Sequence, residues 1–323
     1  MLKDFEKNIL KHTGASSYKE IATLQNLWSG YGRIVRLSLE GSSLKSVIVK
    51  YICLPNEQQH PRGWNTDFSH QRKLKSYEVE AAWYLEWSQL GTEDCKMPKC
   101  YTIARHGDEV LMVLEDLDAV GYSGRITEAS FENISSCLQW LAHFHATYMN
   151  KKSDLLWETG TYWHLETRPD EFAALRDPAL IEAAPKMDLL LKKSPYKTFV
   201  HGDAKLANFC FTPDSDAVAA VDFQYVGTGC GMKDVAYFIG SCLHESDCEY
   251  YESDLLKIYF ETLRTSLKDS NLGIDCDALE QNWRMLYPIA WSDFHRFLKG
   301  WSPGHWKLNR YSENMLKKAI ELL

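Results

Sequence analysis

Between Arg33 and Leu39 apolar and polar residues alternate, the period of a strand with one buried face. Glu40-Gly41-Ser42-Ser43 supplies a turn, and the β-branched run from Ser46 to Ile52 follows, so the two predict a hairpin. Residues 55–75, rich in Pro, Gly, Asn, Ser and basic side chains, read as an exposed loop. Val79, Trp83 and Trp87 share one face of a helix expected from about Ser76 to Gln89, stopping near Gly91. Tyr101–Arg105 and Val110–Leu114 predict two more strands around a His106-Gly107-Asp108 turn. Past Leu117 the period changes: Ile134, Cys137, Leu138, Leu141, Phe144 and Tyr148 recur at helical spacing after Thr127, a candidate cap. Two short apolar runs, Thr198–Val200 and Ala217–Val221, each lead into an acidic motif, and from about Lys233 the chain reads as helix again. The pattern predicts an α+β, two-lobed chain. Residues 1–116 form a small antiparallel sheet with one helix, and 117–323 form a larger, mostly helical lobe.

Composition narrows the function. The 323 residues suffice for a sizeable core without disulfides or structural metal. Lys and Arg number 36 against 44 Asp and Glu, a net charge of −8, which argues against a protein built to bind nucleic acid. The cysteines at 53, 95, 100, 137, 210, 230, 242, 248 and 276 include no C-x-x-C pair, so reduced thiols in a cytoplasmic protein are expected. The first residues, MLKDFEKNILKHTG, are charged throughout, and no run approaches the roughly 18–20 apolar residues of a membrane span. Neither secretion nor membrane insertion is expected.

The sharpest chemical signal is Val200-His201-Gly202-Asp203-Ala204-Lys205-Leu206-Ala207-Asn208, followed fourteen residues later by Asp222-Phe223-Gln224. Phosphoryl transfer from ATP passes through a loose transition state, so a protein mainly positions groups and neutralises charge. Asp203, at a strand end, suits a base that orients an attacking hydroxyl and takes its proton. Asn208 and Asp222 are hard oxygen ligands for Mg²⁺. Upstream, Lys50 ends a Val-Ile-Val-Lys strand and suits a phosphate-binding lysine. Glu80 lies in the next predicted helix to pair with it, although Glu78 and Glu86 share that helix. Gly30-Tyr31-Gly32 stands where a glycine loop closes over phosphates, with only two of the glycines of a full G-x-G-x-x-G. Leu114-Glu115-Asp116-Leu117 joins the two lobes, where the backbone of Glu115 and Leu117 can hydrogen-bond an adenine.

In this order the motifs resemble those of the kinase-like small-molecule phosphotransferases, the group of aminoglycoside phosphotransferases, choline kinases and ecdysteroid kinase-like proteins. The last is most similar in His201-Gly202-Asp203…Asn208, Asp222-Phe223-Gln224, Leu114-Glu115-Asp116-Leu117 and the run Gly231–Phe238. The likeness extends over about residues 25–240. It implies a protein-kinase-like bilobal fold, ATP with Mg²⁺ as donor, and a small hydroxyl-bearing acceptor. It also implies that Lys205 attends the transferring phosphate, that His201 shapes its loop by hydrogen bonds, and that Asp234 anchors structure. Gln224, in place of the glycine of a protein kinase, argues against a switch of that type.

The acceptor is less defined. The helical lobe ends in an aromatic run that contains Trp291, Asp293, Arg296 and Trp301, candidates for a wall that holds a cation, an apolar ring system, or only the core. The stretch His60–Trp64 with Arg72-Lys73-Leu74-Lys75 is basic in an acidic chain and reads as a solvated loop or as an approach to phosphates. His143 and His145 read as packed histidines on an apolar helix face. Two other function classes stay open at this stage: a nucleotide-binding scaffold without catalysis, and a metal-dependent hydrolase.

Overall fold

The alternation along 33–52 is realised in a five-stranded antiparallel sheet. The structure, a computed structural model, describes residues 5–27, 30–53, 67–270 and 272–323; the stretch His60–Trp64 lies outside these. Helix α1 (Glu6–Thr13) leads into β1 (Ser17–Asn26), β2 (Gly32–Glu40) and β3 (Ser46–Ile52); then come α2 (Asp67–Ala82), β4 (Cys100–His106) and β5 (Glu109–Glu115). The spatial order is β1-β2-β3-β5-β4. Along β3, Val47, Val49 and Tyr51 pack with Val35, Leu37, Leu111 and Val113 on the face that Phe5 and Ile9 of α1 cover. Period two therefore sends Ile48 and Lys50 to the other face, opposite Leu114 and Met112 of β5.

Two elements of this lobe escape the sequence pattern. Strand β1 sits at the sheet edge with every side chain exposed or half-exposed, so no apolar alternation marks it. Helix α2 begins at Asp67, well before Ser76, because its polar residues are not solvated loop. Lys73 Nζ and Ser76 Oγ both donate to Gln224 Oε1, at 2.8 and 3.2 Å. After Ala82 the helix widens into a π-turn (Trp83–Trp87) and a short 3₁₀ turn (Ser88–Leu90).

The second lobe opens with a 3₁₀ turn, Leu117–Val120, capped by the Asp116 carboxylate. Helix α3 (Phe131–Thr147) starts three residues later than the sequence suggests. Its cap is Ser130, in a reciprocal box with Asn133, and not Thr127. Helices α4 (Pro169–Ala173) and α5 (Pro178–Lys193) precede β6 (Thr198–Val200), β7 (Phe209–Phe211), β8 (Val218–Ala220) and β9 (Gly227–Gly229). Helices α6 (Met232–Cys242), α7 (Glu245–Asp269), α8 (Cys276–Trp301) and α9 (Arg310–Glu321) complete the chain. The four short strands pair as two ribbons, β6 with β9 and β7 with β8, and hold the acidic motifs between them. All nine cysteines are free, and among the described residues no helix is long and apolar enough to cross a membrane.

One continuous core joins the lobes. Trp83, fully buried, stacks on Phe223 at 5.0 Å between ring centroids and also meets Phe144, Tyr148 and Phe199. Removing this ring leaves a cavity that few neighbours can close. Trp83→Ala is therefore expected to destabilise the protein by about 3–5 kcal/mol, read as a lower denaturant midpoint in equilibrium unfolding.

Candidate active site

Lys50 is carried to the inner sheet face by strand period and Glu80 to the same cleft by helix period. The Nζ–Oε2 distance is 2.6 Å, and both side chains are buried. Glu78, two residues earlier, points outward and forks onto Arg105, and Glu86 is exposed. Helical phase thus selects one glutamate of three. Lys50 Nζ also lies 3.5 Å from Asp222 Oδ1. Burial by itself lowers the lysine pKa, but two carboxylates beside one ammonium reverse that and hold it above its ordinary value. Burial raises the Asp222 carboxyl, and Lys50, Lys73 and Lys205 outweigh it, so Asp222 titrates below the usual range.

The segment 200–208 is held by its own backbone. Asp234, at the start of α6, accepts from the N–H groups of His201 (2.6 Å) and Gly202 (2.9 Å), and from His145 Nε2 at 3.1 Å. The anchoring role expected of Asp234 matches this geometry, and His145 is one of its supports as well as a packed side chain. Gly202 has φ +79°, and a Cβ there would stand 2.1 Å from the Tyr225 carbonyl oxygen, so no other residue fits. His201 Nε2 faces the Val221 carbonyl at 3.0 Å, and its Nδ1 accepts from the Asp203 N–H at 3.3 Å. Burial lowers its pKa, so the ring is neutral with the proton on Nε2. Asp222 has φ +72°, unusual outside glycine, while Phe223 is buried under Trp83. The buried ring holds the chain while the turn at Asp222 directs its carboxylate into the cleft.

Asp203 is met from three sides: Lys205 Nζ at 2.9 Å, Tyr237 Oη at 3.0 Å and Asn208 Nδ2 at 3.2 Å. Burial raises its pKa, and nearby Lys205 opposes that only in part. Asn208 Nδ2 also donates to the Asp203 carbonyl at 2.8 Å, so its Oδ1 accepts from no described residue. This amide oxygen and the Asp222 carboxylate form a hard donor set of the kind that suits Mg²⁺. The one group of His, Asp and Glu with metal-holding spacing among the described residues is His164, Glu166 and Asp188. It does not line this cleft, and Lys192 pairs with both of its carboxylates.

Lys50, Glu80, Asn208, Asp222, Glu115 and Leu117 line one cavity between the lobes, closed above by Ile34 and Ile48 of the sheet. The connector is pinned there. Asp116 accepts from Arg36 Nη2 at 3.0 Å and from Ser46 Oγ at 2.6 Å, and Glu115 pairs with Lys96. Gly30 is open, with φ +73°. Gly32 serves packing: a Cβ on it would stand 2.0 Å from the Tyr51 carbonyl oxygen of β3, so strand approach and not phosphate access requires the glycine.

Of the four candidates of the C-terminal run, Trp301 packs against the aromatic cluster that holds Tyr237 and Tyr162, and the other three lie in the interior. Asp293 and Arg296 are 1% exposed and hold each other at 2.8 Å, with Trp163 and Lys233 as further partners. A buried charge needs such a partner, and these two supply each other. Trp291 is packed against Gly240 and Tyr311 in the core, and Trp301 stacks on Phe297. What neighbours Asp203 instead is Tyr237, with Tyr162 beside it at 5.7 Å and Tyr225 beyond at 5.8 Å. Lys307 lies over the rings of Tyr237, Phe294 and Trp306. Tyr237 was legible, three residues after Asp234 on the same helix. Lys307 and Tyr162 carry no local signal. Lys73 stands two helical turns before Glu80, on the part of α2 that precedes Ser76.

The model of the ecdysteroid kinase-like family matches residues 42–159 and 156–272. Among solved structures, an ethanolamine kinase from Plasmodium vivax is similar over 98% of this chain and 85% of its own, at 11% identity and TM-score 0.52, a likeness of fold. A choline kinase from Streptococcus pneumoniae (13% identity, TM-score 0.47) aligns over 99% of this chain and 98% of its own. An aminoglycoside-3'-phosphotransferase of type VIII (15%, 0.48) covers the same shares. No curated protein matches.

The Asp234 carboxylate satisfies two buried N–H groups, and an amide in its place can turn only one oxygen to them. Asp234→Asn is expected to cost about 1–3 kcal/mol in equilibrium unfolding, and an unchanged midpoint would remove Asp234 as the anchor of the loop.

Proposed function

Because the chain belongs to the ecdysteroid kinase-like family, we propose that it transfers the γ-phosphoryl group of ATP to a hydroxyl of a small molecule. The observation that carries this reading is the meeting of Lys50, Glu80 and Asp222 at one wall of a cleft that also takes in Asn208, with Asp203 hydrogen-bonded to Asn208. In this reading Lys50, held by Glu80, binds donor phosphates. Asn208 Oδ1 and the Asp222 carboxylate hold Mg²⁺, which when bound offsets the charge of the phosphates. Asp203 orients the acceptor hydroxyl and takes its proton, and its raised pKa supports that role. Lys205 keeps Asp203 ionised through their contact. The backbone of Glu115 and Leu117 faces the adenine end, with Ile34 and Ile48 against the base. Gly30 is the one glycine of the pair left for the phosphate side. We keep the lobe division after Asp116, supported by the start of the connector turn at Leu117.

The acceptor, in the same reading, reaches Asp203 past Tyr237, Tyr162 and Tyr225. Lys307 argues against a cationic acceptor: its ammonium already stands 5.2, 5.6 and 5.5 Å from the centroids of Tyr237, Phe294 and Trp306. A quaternary amine would need such faces for itself.

Calorimetric titration with a non-hydrolysable ATP analogue is expected to give Mg²⁺-dependent binding that Asp222→Ala loses. Asp203→Ala is expected to bind the analogue normally and to lose at least ~10²-fold of turnover; full turnover in that variant would overturn the reading. Among candidate acceptors, sterols and other hydroxyl-bearing metabolites are to be compared with choline and aminoglycosides. Choline is expected to fail, and efficient choline turnover would remove the argument from Lys307.

A further inference from the structure

The assignments above leave the basic run at 72–75 unused. Lys73 lies on the face of α2 that carries Tyr77 and Glu80, and Tyr84 continues that spacing into the π-turn; Glu80 and Tyr84 line the cleft. Its Nζ donates to Gln224 Oε1 at 2.8 Å and stands 4.6 Å from the Tyr77 ring centroid. Gln224 in turn donates from Nε2 to Asp222 Oδ1. One amide therefore fixes the ammonium and the carboxylate with respect to each other. Lys73 is close enough to feel the charges of Asp222, Lys50, Glu80 and Asp203.

It differs from the other lysines at and near the cleft in what holds it. Lys50 is paired with Glu80, Lys205 with Asp203, and Lys96 with Glu115. Lys73 makes no ion pair with a carboxylate among the described residues, and its ammonium donates to a neutral amide oxygen. A half-buried ammonium held this way has carboxylates nearby but none in contact with it, which folding alone does not favour. The charge stands where a phosphoryl group would travel if Asp222 holds the metal and Asp203 is the base.

Resting on that reading, we propose that Lys73 is a catalytic residue whose ammonium donates hydrogen bonds to the phosphoryl oxygens in transit, with Gln224 as the residue that positions it. In the step, the Pγ–O bond to ADP breaks and the Pγ–O bond to the acceptor oxygen forms. The acceptor proton passes to the Asp203 carboxylate, ADP leaves with the bonding pair, and Lys73 neither gains nor loses a proton. A fixed cation at that point favours the transition state over bound ATP, because it meets the group as it moves.

The test uses the full chain, with two functional readouts and a control for stability. Binding of ADP with Mg²⁺ is measured by calorimetry with and without aluminium fluoride, a mimic of the phosphoryl group in transit. Wild type is expected to gain roughly 100-fold in affinity on adding the fluoride. Lys73→Met is expected to lose most of that gain while binding ADP with Mg²⁺ within about twofold of wild type, and Lys73→Arg to recover part of it. The slow transfer of phosphoryl to water, without acceptor, is expected to fall ~100-fold in Lys73→Met. Lys75→Met, at an exposed position of the same helix, is expected to change neither readout. Thermal melting of Lys73→Met is expected to match or exceed wild type, since a poorly compensated charge is removed. Retention of the fluoride gain, or an unchanged hydrolysis rate, overturns the role of Lys73 alone. An equal loss for ADP and for the fluoride complex reduces it to ground-state binding and overturns the proposal. Absence of ADP binding in wild type overturns the phosphotransferase reading and this proposal with it.

Discussion

An ammonium buried at the meeting of three elements sets the geometry of this protein. Lys50 comes from the middle of a sheet, Glu80 from the helix packed on it, and Asp222 from the turn that follows β8 in the other lobe. Leaving the charge of Lys50 or Glu80 buried without a partner costs several kcal/mol, so the pairing restricts how sheet and helix can sit. The cleft is the space left around that constraint. Its upper surface is the inner face of the sheet, which the strand period had already separated from the face under α1.

Below the cleft, backbone groups do most of the positioning. The N–H groups of His201 and Gly202 end on Asp234, the His201 ring ends on the Val221 carbonyl, and Phe223 is locked under Trp83. Asp203 and Asp222 are thereby carried on short segments whose neighbours cannot move independently. The left-handed conformation at Asp222 is consistent with such over-determination, since an isolated chain would relax it.

Charge around Asp203 is balanced unevenly. Lys205 and Tyr237 satisfy its carboxylate, whereas Lys73 and Lys307 stand nearby without carboxylate partners among the described residues. Burial lowers both of these lysines to a pKa of about 8, yet each still carries its proton for the most part at neutral pH. Two cations near a buried carboxylate, neither in contact with a carboxylate among the described residues, favour the approach of negative charge. This agrees with a phosphoryl group more readily than with a cationic acceptor.

Much of this was legible from local order. The alternation through 33–52, the His-Gly-Asp…Asn loop, Asp222-Phe223 and the helical density after Lys233 are short-range signals, and each is realised. Strand β1 was not legible, because an exposed edge leaves no apolar period, and the first turns of α2 were not, because their polar residues hydrogen-bond across the cleft. The aromatic and charged residues near 291–301 suggested an acceptor wall, yet composition cannot tell a side chain that faces a cleft from one that faces its own partner. Asp293 and Arg296 pair with each other in the interior. By itself the sequence determined which acidic, amide and basic residues stand on which local elements. Only the tertiary structure decided which glutamate meets Lys50, which lysines have no carboxylate partner among the described residues and which rings stand near Asp203, because those outcomes depend on contacts between segments far apart in the chain.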